Sequence, residues 1–421
     1  MHNKKLHIIT FGCQMNEADS ENIAFSFKKR DFELTGDLKK ADITVINTCV
    51  VRERAEHRSI SKIGFLEKWK ERNPGRKIFV VGCAAEKLGI KYIKSKFPFV
   101  DEVVGAKSLD KFDNVLSAYF KNENPDYKIP LNLFNSPFTA YVTIMKGCFL
   151  KCSYCIVPRV RGEAVYVSPE DVLREVKTKV SNGAREIILL GQTVNSYRHA
   201  LNGKNVSFSK LLEMICKIDG VKRIRFMSPH PLYFDEGFFE VLKSDSRIAR
   251  HAHLPVQSGS DKILKLMKRG YTRKKYLEIL SKLKQAVPDI RISTDFIVGF
   301  PGETASDFAD TISLLEQIRF ISAYCFKYSV RTGSPQVKDS IPEREKEKRL
   351  EILLKTVREN SREIFKSRIG RIEETLFETE KTGKSSTNFN VETDSKQKPG
   401  ETAQIEICGV HKNVLQGRPI P

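Results

Sequence analysis

The run Tyr141-Val-Thr-Ile-Met145-Lys-Gly147-Cys148-Phe-Leu-Lys-Cys152-Ser-Tyr-Cys155 joins a short apolar strand to three closely spaced cysteines. The C-x₃-C-x₂-C spacing supplies three thiolates, not four. A [4Fe–4S] cluster is normally closed by four cysteines. Three leave one iron open, and an open iron binds a small molecule and passes it an electron. A structural zinc site would want a fourth ligand close by. No His or Cys follows Cys155 until His199. Zinc, or thiols without metal, is the competing reading.

From Ala140 onward, strand-like and helical stretches alternate. The strand candidates are Tyr141–Met145, Glu186–Leu190, Arg223–Met227, His251–Val256, Arg291–Val298 and Ala323–Tyr328. Ser168-Pro169-Glu-Asp171 and Thr304-Ala-Ser-Asp307 read as helix starts, with a hydroxyl cap and an acid to follow. Six βα units predict a partial (β/α)₆ barrel with its chemistry at the carboxyl ends of the strands. Cys148 follows the first strand and so lies at that mouth. Polar motifs follow the others: Gly191-Gln-Thr-Val-Asn195, Ser228-Pro-His230, Pro255-Val-Gln257-Ser-Gly-Ser260 and Asp295-Phe-Ile-Val-Gly299-Phe-Pro-Gly302-Glu303. Singly, each suits a turn as well as a ligand contact. Their shared rim favours the ligand, and the glycines would let backbone approach it closely. His230, His251 and His253 read as pocket or core residues, not as a metal set.

Upstream, Leu6–Gly12, Asp42–Thr48 and Ile78–Gly82 read as buried parallel strands, each followed by a helical stretch. Cys13, Cys49 and Cys83 each stand directly after a strand, at separations of 36 and 34 residues. In a parallel sheet those ends share one edge. A small buried hydrophobe would explain one such cysteine. Three in register predict a second three-thiolate cluster. Cys216, Cys325 and Cys408 lack any such pattern and read as core.

The stretch 101–137 is acidic, contains Pro125, Pro130 and Pro137, and reads as a connector. After a charged helical stretch at 335–370, the tail turns strand-like at Glu374–Glu380, Asn388–Thr393, Thr402–Cys408 and Asn413–Gln416. A small OB-like barrel fits it. The expected domains are 1–118, a linker 119–137, a barrel domain 138–360 and a β module 361–421.

The 421 residues carry a net charge of +20. By segment the net charge is +8 over 1–100, −2 over 101–137, +13 over 138–360 and +1 over 361–421. Such an excess suits a polyanionic partner, although a solvated lysine-rich surface explains it equally well. No apolar run approaches the ~20 residues of a membrane span. The start is too short of apolar residues for a signal peptide, so a cytoplasmic protein is expected. Nine cysteines in a reducing compartment point to metal or catalytic use, not disulfides.

Together the two cysteine sets and the β tail resemble the radical S-adenosylmethionine (SAM) methylthiotransferases, over essentially the whole chain. The runs that carry the resemblance are Phe11-Gly-Cys13-Gln-Met-Asn16-Glu17, Asn47-Thr48-Cys49, Gly191-Gln-Thr-Val-Asn195, His253-Leu-Pro-Val-Gln257-Ser-Gly-Ser260 and Asp295–Glu303. The resemblance implies an N-terminal three-layer α/β domain, a radical SAM barrel and a C-terminal TRAM domain. It implies two [4Fe–4S] clusters, on Cys13, Cys49 and Cys83 and on Cys148, Cys152 and Cys155, with SAM as cofactor. SAM contacts are expected from Gly162, Glu163, Gln192, Asn195, Gln257 and Asp295. Gln-Met-Asn-Glu after Cys13 resembles the tRNA-modifying branch. That branch adds a methylthio group to C2 of N6-isopentenyladenosine at position 37 of tRNA, next to the anticodon. The implied partners are the tRNA anticodon arm, an electron donor such as flavodoxin or ferredoxin, and a sulfur donor. No membrane partner is expected, and the protein is expected to act as a monomer. The alternatives are a methylthiotransferase for threonylcarbamoyladenosine tRNA or a ribosomal protein, or a non-catalytic iron–sulfur RNA-binding protein.

Overall fold

The first apolar runs form one parallel sheet: β1 (Lys5–Thr10), β2 (Glu33–Leu34), β3 (Ile43–Thr48), β4 (Lys77–Gly82) and β5 (Glu102–Gly105), in the order β2-β1-β3-β4-β5. The computed structural model describes residues 4–51, 53–120, 137–201, 203–330 and 341–420. Side chains alternate across β4, as a strand requires. Ile78 and Val80 join one core with Ile63, Trp69 and Ile93. Phe79 and Val81 join another with Ile23, Phe27 and Phe112. Helices thus cover both faces, giving the three layers that a buried parallel sheet needs.

Two of these strands were not foreseen. Glu33–Leu34 is too short to carry a pattern. β5 falls in the stretch expected to be a connector, and that expectation is corrected for 101–118. Those residues hold β5, a 3₁₀ turn at Ala106–Lys111 and a helix at Phe112–Ser117. Asp101 and Glu102 are tied down by hydrogen bonds. Lys70 Nζ donates to Asp101 at 2.6 Å, and the Tyr119 hydroxyl donates to Glu102 at 3.0 Å. Residues 121–136 of the expected linker lie outside the described residues.

The chain divides into two compact units. The first comprises Met1–Asn135, Lys146–Leu150 and Ile156–Val165; the second comprises Ser136–Met145, Lys151–Cys155 and Tyr166–Pro421. The next strands are β6 (Thr139–Thr143), β7 (Met145–Lys146), β8 (Val165–Tyr166), β9 (Glu186–Leu190), β10 (Arg198–Leu201), β11 (Lys204–Ser207), β12 (Arg223–Phe226), β13 (His251–His253), β14 (Arg291–Val298) and β15 (Ser322–Lys327). In the second unit β6, β9 and β12 pair in parallel, as do β13, β14 and β15. Ile224 bridges Ile248 in parallel just ahead of β13. All six expected barrel strands are present. The β10–β11 hairpin is an addition. Both expected helix starts hold: Ser168 caps Pro169–Ser181, and Thr304 forms a capping box at Ala305–Ile318.

The tail closes into a five-stranded barrel of β16 (Ile372–Phe377), β17 (Thr382–Ser385), β18 (Asn390–Thr393), β19 (Thr402–His411) and β20 (Val414–Pro419). Its core of Phe377, Phe389, Val391, Ile405, Ile407 and Leu415 includes Ile364 and Phe365 from the helix Glu343–Lys366. β17 was missed because Thr-Gly-Lys-Ser carries no apolar alternation. Cys408 is corrected from core to exposed. A register irregularity between Ile407 and Gly409 takes it out of the β19–β20 ladder.

Candidate active site

In the first unit, β1, β3 and β4 deliver Cys13, Cys49 and Cys83 to one edge of the sheet. Cys13 caps the helix Gln14–Lys28, and Cys83 opens the helix Cys83–Leu88. Gly12, at φ +121°, passes so close that a Cβ there would lie 2.8 Å from Cys49 Sγ. Burial pushes the Cys83 thiol up to about 12 against the pull of Arg161, and the neighbouring Cys49 and Cys13 sulfurs add to the rise. None of the nine cysteines forms a disulfide.

The loops that carry these sulfurs are bracketed by two buried asparagines. Asn16 Nδ2 donates to Phe11 O at 2.8 Å and Thr48 O at 3.0 Å; Asn47 Nδ2 donates to Asn16 O at 2.8 Å. Thr48 Oγ1 donates to Val81 O at 2.6 Å and accepts from Ala85 N at 3.1 Å. Arg161 is the third element. Its Nε donates to Cys83 Sγ at 3.3 Å, its Nη2 donates to Asn16 Oδ1 at 2.8 Å, and it pairs with Asp19 at 2.8 Å. Burial alone would lower its pKa, but Asp19, Cys83 and Cys13 more than offset that and hold it charged.

Among the described residues, no three His, Cys, Asp or Glu side chains converge tightly enough to hold a single metal ion. A cubane cluster places the opposite demand on its site. Each thiolate of such a cluster binds a different iron. Cys13, Cys49 and Cys83 stand just after β1, β3 and β4, on one edge of the sheet.

Cys148 belongs to the first unit and Cys152 and Cys155 to the second. Cys148 N donates to Gly162 O at 3.1 Å, and a Cβ on Gly147 would strike Glu163 O at 2.0 Å. Glu163 itself is exposed. In the second unit the loop Lys151–Cys155 is fastened by Ser153, whose N donates to Met267 O at 3.1 Å and whose Oγ donates to Leu266 O at 2.9 Å. Arg269 Nη1 donates to Cys152 Sγ at 3.5 Å and to the Tyr154 hydroxyl at 3.3 Å. Its Nε donates to the Tyr271 hydroxyl at 3.0 Å and its Nη2 to Pro255 O at 3.0 Å.

The polar rim motifs separate into two kinds. Asn195 uses both ends of its amide on the His230 backbone, donating at 2.9 Å and accepting at 2.8 Å. Gln257, buried at φ +76°, extends pairing to β14 through Asp295 O and Ile297 N. Asp295 lies 3.3 Å from His253 Nε2. Glu303 is buried, accepting from Gly299 N at 2.9 Å and Arg349 Nη1 at 2.6 Å. These residues shape the rim. Gln192 Oε1 and His230 Nε2, like Glu303 Oε2, are buried and have no hydrogen-bond partner among the described residues. His230 Nδ1 accepts from Leu232 N, so Nε2 carries the proton and is a donor. A buried acceptor and a buried donor left unpaired have the capacity to bind a polar ligand or an ordered water. The glycines expected to admit a ligand meet protein instead. A Cβ on Gly191 would lie 2.4 Å from Met145 Cγ, and one on Gly259 would lie 2.4 Å from Asp310 O.

Residues 142–315 match the radical SAM superfamily, and residues 5–105 match the uncharacterized protein family UPF0004. A tRNA-2-methylthio-N(6)-dimethylallyladenosine synthase from Clostridium botulinum is 43% identical over 88% of this chain and 85% of its own. One from Nitratiruptor sp. is 40% identical over 98% of this chain and 99% of its own. The chain belongs to the tRNA-2-methylthio-N(6)-dimethylallyladenosine synthase family. The radical SAM chemistry of this synthase family uses SAM and [4Fe–4S] clusters. The fold is also like that of the radical SAM methyltransferase TsrM from Kitasatospora setae, solved with cobalamin and a [4Fe–4S] cluster. That likeness has a TM-score of 0.57 at 12% identity, over 89% of this chain and 81% of that one. Sequence reasoning gave no role to the side chains of Arg161, Arg269 and Asn47, and read His230 as a pocket or core residue without singling it out. Arginine has no spacing signal, and His230 was set aside with the other histidines.

Proposed function

We propose that this protein transfers a methylthio group to C2 of N6-dimethylallyladenosine in tRNA, at the base next to the anticodon. The observation that carries the reading is the convergence of Cys13, Cys49 and Cys83 on one sheet edge in a chain that also bears Cys148, Cys152 and Cys155. One three-cysteine set suffices for SAM cleavage; a second leaves a set of thiolates free for sulfur delivery. When bound, the cluster on Cys148, Cys152 and Cys155 supplies the electron that cleaves SAM, and the cluster on Cys13, Cys49 and Cys83 supplies the sulfur.

The remaining roles belong to side chains. Gln192 Oε1 accepts from the cofactor and His230 Nε2 donates to it, while Asn195 holds His230 in place. Gly162, Glu163, Gln257 and Asp295 complete the SAM contacts in this reading. The positive charge of residues 1–100 and 138–360 attracts the RNA backbone, whose phosphates dominate affinity and make it salt-dependent. The target base leaves its stack to be modified. An electron donor of the flavodoxin or ferredoxin type and a sulfur donor complete the cycle, and the protein works as a cytoplasmic monomer. Among the described residues no helix is long and apolar enough to cross a membrane. The threonylcarbamoyl, ribosomal-protein and non-catalytic alternatives are not favoured.

The test is substrate choice. Reconstituted protein should methylthiolate dimethylallylated tRNA and leave unmodified tRNA nearly untouched, read by mass spectrometry of the nucleosides. Equal rates on both would contradict recognition of the dimethylallyl group.

A further inference from the structure

One feature recurs in both units: a buried arginine donates to one cysteine of each set. In the first, Arg161 Nε lies 3.3 Å from Cys83 Sγ. In the second, Arg269 Nη1 lies 3.5 Å from Cys152 Sγ. Both guanidiniums are nearly closed off from water, Arg161 at 9% exposure and Arg269 at 6%. Their counter-charges differ. Arg161 is paired with Asp19 at 2.8 Å, with both side chains 5% exposed. Arg269 pairs with no carboxylate among the described residues. Its partners are two tyrosine hydroxyls, the carbonyl of Pro255 and the Cys152 sulfur.

A buried cation without a counter-ion is costly, and an anion beside it removes the cost. The sulfur of Cys152 offers that anion as a thiolate, the form that binds iron. The excess charge of Arg269 therefore faces the cluster. Reduction adds a negative charge to a cluster, and a nearby buried positive charge favours it strongly where water is excluded. Net charge and hydrogen bonds to the sulfurs are the levers that set cluster potentials. At the other site, Arg161 and Asp19 cancel, leaving a hydrogen bond without net charge.

We propose that Arg269 is a positioning residue that raises the reduction potential of the cluster on Cys148, Cys152 and Cys155, whereas the Arg161–Asp19 pair holds Cys83 with little effect on the potential of the other cluster. This biases an incoming electron toward the cluster that cleaves SAM. The inference rests on the ligand assignment above.

The experiment measures midpoint potentials by EPR-monitored titration of reconstituted full-length protein. Each cluster is isolated by replacing the three cysteines of the other set with Ala. Iron should fall from about eight to about four per chain in each background. A count that does not fall refutes the ligand assignment, and the inference with it. With the count correct, Arg269→Gln should lower the potential of the SAM-cleaving cluster, and Arg269→Lys should keep it near wild type. Arg161→Gln with Asp19→Asn should shift the other cluster much less. An unchanged potential in Arg269→Gln overturns the inference while leaving the assignment intact. So does a fall in Arg269→Lys as large as that in Arg269→Gln, or an equal shift at the two sites. Should Arg269→Gln fail to hold iron, retention of iron at the wild-type potential by Arg269→Lys supports the charge role. Loss of iron in both contradicts it.

Discussion

At the scale of the residue, the six proposed ligands were legible because cysteine spacing and strand ends leave few other readings. The residues that hold those sulfurs were not. Arg161 adjoins Gly162 and Glu163, two expected SAM contacts, yet its side chain lies on Cys83 and Asn16. Nothing in a sequence tells a buried arginine from a solvated one. His230 is the clearest case of burial deciding chemistry. Burial, with the Arg269 charge beside it, pushes its imidazole down to about 2. In the unfolded chain it protonates near its ordinary value of ~6.5. Between those values the unfolded chain binds the extra proton, so stability rises with pH and is lost as pH falls below about 6.5. His251 is driven the same way by burial and by Arg225. From pH ~7 to ~5, His230 alone should account for about 2 kcal/mol of lost stability. Urea midpoints at those two pH values should therefore converge more in His230→Asn than in wild type. An equal loss in both proteins would show that His230 is protonated freely in the folded state.

At the scale of the element, the barrel strands were read from apolar periodicity and their order followed from parallel βα topology. Polar strands escaped, β17 among them, because their register is imposed by neighbours. The attachment of the β module to the barrel strands was equally invisible. Glu186, at the start of β9, accepts from Arg225 Nε at 2.7 Å and lies 3.8 Å from Arg223 Nη1. Arg223 Nη1 donates to Lys384 O at 2.6 Å, and Arg225 Nη2 donates to Ser385 O at 2.7 Å. With Glu374 a further partner of Arg223 at 3.4 Å, one buried carboxylate is thus shared by two buried guanidiniums that reach the β17 backbone. Burial alone would raise its pKa, but Arg225 and Arg223 outweigh that and hold it below the usual carboxylate range. Glu186→Gln leaves Arg225 without a carboxylate and Arg223 with only Glu374 at 3.4 Å, and should cost about 3–5 kcal/mol. Thermal unfolding measures it, and a loss below about 1 kcal/mol would show that the module docks by apolar packing alone. Removing residues 371–421 would strip the same arginines of their β17 backbone acceptors, so truncation perturbs the barrel as well as any RNA contact.

At the scale of the whole molecule, the chain combines a sheet whose edge gathers three cysteines, a barrel loop that bears three more, and a closed β module. The sequence was enough to foresee these parts, since each has its own period and punctuation. It was not enough to foresee that Cys148 groups with the N-terminal sheet and Cys152 with the barrel, because such grouping depends on packing far from the motif. The division of labour between the two cysteine sets is the claim on which the account stands. Its direct test is one reaction with dimethylallylated tRNA, SAM and a reductant, comparing wild type with the variant carrying Ala at Cys13, Cys49 and Cys83. Mass spectrometry follows 5′-deoxyadenosine and the methylthiolated nucleoside together. Wild type should give both products, and the variant should give 5′-deoxyadenosine without the methylthiolated nucleoside. Methylthiolation by the variant at the wild-type rate would contradict the account.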